Sequence, residues 1–151
     1  MLTMSGENEA ALQQIQQYEK LLTQQPIQEQ ALSMSTIQIY RSELAYLQKD
    51  WVTLSEMIVG LEAVPLNEDM DMAKVFYKSQ LALAKGDSDS FLKYSLECLP
   101  YFEQSVQKLR LEQLYELLAI VSEENRKYKD AAIYYRKLLD LVRRKQDEKS
   151  A

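Results

Sequence analysis

Residues 114–141 read LYELLAIVSEENRKYKDAAIYYRKLLDL, and the parsing of that stretch decides the fold. Tyr115, Leu118, Ala119 and Ser122 fall at helical spacing on one face. A polar interval, Glu123 to Lys127, follows. Tyr128, Ala131, Tyr135 and Leu138 then fall on one face of a second helix. Two amphipathic helices joined by so short a connection cover their apolar stripes by folding back on each other.

The same signature occurs twice upstream. Ile39-Tyr40-Arg41-Ser42-Glu43-Leu44-Ala45 aligns with Phe76-Tyr77-Lys78-Ser79-Gln80-Leu81-Ala82, and both align with Glu116-Leu117-Leu118-Ala119-Ile120-Val121-Ser122. Small residues hold the same two slots each time: Ser42 and Ala45, Ser79 and Ala82, Ala119 and Ser122. Small side chains at matched positions let two helix axes approach closely where they cross. A unit of this kind buries its second face only by stacking on a neighbour.

Taken in order, the chain offers a first helix over 5–25, with Ser5 as N-cap and a stripe through Ala11, Leu12, Ile15, Tyr18, Leu21 and Leu22. Pro26 ends it. A second helix spans 28–48 and a third 50–63, with Asp50 as N-cap and Trp51, Leu54, Ile58 and Leu61 inward. Pro65 stops the third. Asn67 caps the fourth, whose first turn carries Glu68, Asp69 and Asp71. Gly86 closes the fourth in a left-handed conformation. Asp87 or Ser88 caps a fifth through Phe91, Leu92, Leu96 and Leu99, and Pro100 perturbs its end. Three glycines and three prolines in 151 residues suit long helices with short joints. The chain is expected to be one all-α domain of about seven helices. It comprises an unpaired capping helix (5–25) and antiparallel hairpins over 28–64, 67–104 and 106–147.

The pattern resembles the tetratricopeptide repeat (TPR) family. In the last unit Tyr115 stands where that family usually has Trp, and Leu118-Ala119 match its Leu-Gly. Tyr128, Ala131 and Tyr135 match the second-helix Tyr, Ala and aromatic. The earlier units depart from it: Leu54 and Ile58, then Phe91 and Ser95, occupy the small and aromatic slots. Tyr18, Leu21 and Pro26 fit the second half of a repeat, so the first helix either caps the first hairpin or belongs to a longer array. The resemblance implies a right-handed, TPR-like stack of hairpins whose first helices line a concave groove.

Composition narrows the function. Hydrophobic residues make up 46% and charged residues 27%, enough for a real core. The net charge of −5 disfavours nucleic acid as a partner, because a phosphate backbone demands a basic stripe. Arg143, Arg144, Lys145 and Lys149 read as a cationic helix end. The longest apolar run, Leu117 to Val121, is far too short to span a bilayer. No secretion signal opens the chain, and Cys98 is the single cysteine, so a cytoplasmic location is expected. With no histidine, no paired cysteines and no Gly-rich phosphate loop, neither an enzyme nor a metal or cofactor site is expected. Cys98 reads as a buried, inert thiol. Tyr40, Tyr77, Tyr115, Tyr128 and Tyr135 read mostly as core.

Carried over from the family, the groove positions are Thr36, Ile39, Glu43, Tyr46 and Leu47 in the first unit. They are Ala73, Phe76, Gln80 and Leu83 in the second, and Gln113, Glu116, Ile120 and Glu123 in the third. The resemblance also implies what is missing: TPR domains that grip an acidic C-terminus use Lys and Asn at places filled here by Ile39, Glu43, Phe76, Gln80, Glu116 and Ile120. The expected occupant is therefore a protein or peptide with apolar anchors and some positive charge, not a nucleic acid or a membrane. Two alternatives keep the fold: the peptide-sensing part of a bacterial regulator without its effector domain, or a homodimer-forming structural module.

Overall fold

The computed structural model describes residues 9–17 and 27–150, with side chains described over 9–17 and 34–147. Among these residues there are seven helices and no strand: α1 (9–17), α2 (Ile27–Leu47), α3 (Trp51–Glu62), α4 (Glu68–Ala84), α5 (Ser88–Gln104), α6 (Lys108–Glu124) and α7 (Tyr128–Ser150). Of the first helix only α1 falls within the described residues. Ser5, Tyr18, Leu21, Leu22 and Pro26 lie outside them.

Side-chain caps start α3, α4 and α5. The Asp50 carboxylate accepts from the Thr53 amide and hydroxyl at 3.2 and 2.6 Å. Asn67 Oδ1 accepts from the Met70 amide at 2.9 Å. Asp87, rather than Ser88, caps α5 by accepting from the Ser90 amide at 3.1 Å. Each cap satisfies an amide that the helix leaves without a partner. Pro100 lies inside α5, which continues through it to Gln104.

Three turns share one design. Lys49, Gly86 and Arg126 take positive φ of 56°, 77° and 62°. The residue after each donates its amide back over a full turn: Asp50 to Ala45 O (2.9 Å), Asp87 to Ala82 O (2.9 Å), Lys127 to Ser122 O (2.8 Å). A second bond runs from Lys49 to Tyr46 O, Gly86 to Leu83 O, and Arg126 to Glu123 O, each at 3.0 Å. Left-handed closure is natural for Gly86 and costs Lys49 and Arg126 something, because a Cβ crowds the adjacent carbonyl. The carbonyls that accept belong to Ala45, Ala82 and Ser122, one of the two recurrent small slots. All six small slots are buried.

The turns fold each helix back on its predecessor, so α2 packs on α3, α4 on α5 and α6 on α7. The pairs touch along α3–α4, α5–α6 and α2–α4. Tyr135 reaches Glu123 beside the last turn while Lys145 pairs with Glu112 far from it, which makes α6 and α7 antiparallel. One core, built on Leu54, Phe76, Tyr77, Phe91, Phe102, Leu114 and Leu118, runs from α2 to α7. A small second cluster, Ile15 with Ile37 and Leu44, ties α1 to α2. The Cys98 thiol is fully buried, and burial pushes its pKa up to about 12, so it is not poised as a thiolate.

The tyrosines divide. Tyr77 and Tyr115 are buried, but Tyr40, Tyr128 and Tyr135 are exposed. The described helices leave these three rings largely uncovered, so helical spacing alone overstated the core. No helix among the described residues is long and apolar enough to cross a membrane.

Candidate functional site

The inner faces of α2, α4 and α6 meet at Glu43, Tyr77 and Arg110. Arg110 Nη2 donates to Glu43 Oε2 at 2.9 Å, and the Tyr77 hydroxyl donates to the same oxygen. The guanidinium lies over the Phe76 ring at 4.3 Å and near Tyr77 at 5.5 Å. Tyr46 meets Phe76 edge-on at 5.4 Å and Tyr77 at 6.0 Å. Three helices are thus tied through one carboxylate.

Electrostatics follow from this packing. Burial, then the neighbouring Glu43 charge, raises the Tyr77 pKa. Burial works against the Arg110 charge, but Glu43 and Tyr77 outweigh it and hold the cation in place. Arg110 Nη1 is buried without a hydrogen-bond partner among the described residues. Sequence reasoning missed Arg110, because it lies three positions before Gln113, where the aligned groove positions of α6 begin. Its signal was a helix whose first turn carries the cations Lys108 and Arg110 and no acid, where acids are the favoured residues.

Beside this row the surface opens. A cleft of about 610 Å³ runs between α1 and α2, lined by Ala11, Gln14, Ile15, Thr36, Ile37, Tyr40, Glu43 and Leu44. Its walls are mostly apolar, and among the described residues that line it Glu43 is the one charged side chain. A smaller recess of about 270 Å³ between α5, α6 and α7 is charged. There Glu103 already accepts from the Tyr115 hydroxyl at 2.6 Å and Lys137 at 3.4 Å. Among the described residues no group of three or more metal-ligating side chains is assembled.

The thirteen groove positions are distributed unevenly. Thr36 and Glu43 line the cleft. Ile39, Tyr46, Ala73, Leu83 and Gln113 are half-buried, and Leu47 is exposed. Phe76 is 0% exposed and Gln80 is buried, its amide donating to Ser79 Oγ at 3.3 Å. These two are core, so no ligand reaches them without unfolding α4 from its neighbours. Glu116, Ile120 and Glu123 are exposed on α6, and the Tyr135 hydroxyl of α7 bonds Glu123 at 2.9 Å. They belong to the end of the molecule, not to the cleft. Arg110 is committed to Glu43.

Comparison with protein-family models, with curated proteins and with solved structures finds no match to this chain.

Proposed function

We propose that this chain is a non-enzymatic, TPR-like module that binds a segment of another polypeptide in the cleft between α1 and α2. The observation that carries it is the cleft itself: about 610 Å³, walled by Ile15, Ile37, Tyr40 and Leu44. Space of that size with apolar walls and few polar groups suits two or three apolar side chains of an extended or helical peptide. The three like turns and six buried small slots support the stacked-hairpin arrangement in which such clefts arise.

Glu43 gives the cleft little negative character, because its charge is matched by Arg110. Preference for a basic ligand rests on the net charge of −5, which speeds encounter with cations more than it tightens the complex. Affinity is expected near the micromolar range, about −8 kcal/mol. The test is fluorescence anisotropy with labelled amphipathic peptides carrying Leu or Phe anchors and Lys flanks. Tyr40→Asp should abolish binding, since Tyr40 is an exposed wall residue whose change leaves the core intact. Equal binding by parent and variant would place the ligand elsewhere.

A further inference from the structure

The last helix carries an apolar stripe that its counterpart keeps covered. Counting from the positive-φ residue of each turn, Ser95, Leu99 and Phe102 of α5 correspond to Tyr135, Leu139 and Val142 of α7. The first three are 0%, 6% and 1% exposed, sealed in the core that α5 shares with the helices packed on it, α4 and α6. The second three are 41%, 49% and 36% exposed. Tyr128 and Ala132 extend the stripe toward the turn, at alternate spacings of three and four. Position by position, α7 presents a seat for a helix.

The same end face also carries opposed charges. Glu116, Ile120 and Glu123 form an exposed row on α6, and the Tyr135–Glu123 bond fixes that row beside the stripe. Beyond the stripe, on its other edge, stand the exposed Lys129, Arg136 and Arg143. One side of the face is acidic, its middle apolar, its far side basic. A two-fold axis lying in the face, parallel to the helices and running along the stripe, lays α7 of each copy against α7 of the other. It sets each acidic row against the opposing basic edge. A surface with both halves of a complementary pair suits its own copy.

We infer that the α6–α7 end face is a self-association surface, occupied by a second copy of this chain related by a two-fold axis. Seventeen residues of α6 rise about 25 Å, and two helices side by side span about 20 Å, for a footprint of roughly 500 Å² on each copy. That is below the about 800 Å² per partner of a standard interface, so the dimer is reversible and depends on concentration.

The test is sedimentation of the full chain over about a hundredfold range of concentration. The mass should rise from one copy to two. Leu139→Arg should weaken association at least about tenfold while the helical circular dichroism and the melting temperature stay those of the parent. Glu116→Arg and Arg143→Glu should each weaken it severalfold, and the double variant should restore it, because the swapped charges meet across the axis. A single-copy mass at every concentration overturns the proposal and leaves the seat for a different helix. So does a dimer that Leu139→Arg does not weaken, or charge swaps that fail to compensate.

Discussion

Removing Glu43 tests whether one carboxylate ties three helices together. Arg110 is 15% exposed in its side chain and Glu43 31%, with 2.9 Å between the charged atoms. Losing one partner of a fully buried ion pair costs about 3–5 kcal/mol, because the other charge stays without compensation. Partial exposure lets water reach the guanidinium, so Glu43→Ala should cost roughly 2–3 kcal/mol. At about 2–4 °C per kcal/mol for a chain of this size, the melting temperature should fall by about 5–10 °C. Arg110→Met should cost less, because its methylenes still cover Phe76 and only Glu43, more exposed, is left alone. Urea melts of the parent, both single variants and the double variant give the coupling, expected at about 1–2 kcal/mol. If the single effects add within about 0.5 kcal/mol, the pair holds nothing together and α6 is placed by packing alone.

Other perturbations bear on the turns, the small slots and the tyrosines. Arg126→Gly should stabilise by about 0.5–1 kcal/mol by relieving a left-handed Cβ, whereas Gly86→Ala, at φ 77°, should destabilise by at least that much in thermal melts. Gly60→Ala should stabilise by about 0.5–1 kcal/mol, since Gly60 is inside α3 and the added methyl meets Gln38 at an ordinary 3.6 Å. Ala119→Leu should cost about 1–3 kcal/mol in a denaturant melt, because this fully buried small slot has no room for three more carbons. Burial, with Glu43 beside Tyr77 and the Glu103 bond on Tyr115, raises both phenols above the ordinary 10.0. Their contribution is complete below pH 10 and declines as pH rises toward their folded values, so Tyr77→Phe should blunt alkaline unfolding followed by circular dichroism. Hydrogen bonds from Ser90 and Thr53 lower the Asp87 and Asp50 carboxyls below the usual 3.8, so their capping contribution holds above that pH and fades as acid titrates the folded carboxylates.

Helix-level structure was legible because several local signals agreed. Asp50, Asn67 and Asp87 are caps by side-chain chemistry alone, and Gly86 is the residue that a left-handed closure favours. Lys49 and Arg126 close the other two turns in the same conformation, which residue type does not announce. The small slots were readable because a helix crossing excludes bulk whatever its neighbours are. The tyrosines were not: Tyr40 and Tyr77 occupy aligned positions, yet one is exposed and the other sealed. Periodicity reports which face a residue takes, whereas cover depends on what packs next. The site divided for the same reason. Thr36 and Glu43 reached the cleft, Phe76 and Gln80 went into the core, and Glu116, Ile120 and Glu123 fell at the far end. Arg110 escaped notice because its partner Glu43 is 67 residues away, a pairing that only the tertiary fold creates.

The central claim is that the space between α1 and α2 receives another polypeptide. Two-dimensional amide NMR of the labelled chain, titrated with an amphipathic Lys-flanked peptide, tests it most directly. Shifts should concentrate at Ala11, Ile15, Thr36, Tyr40 and Leu44, and Tyr40→Asp should erase them. Shifts confined to α7, or none at peptide concentrations well above micromolar, would contradict it.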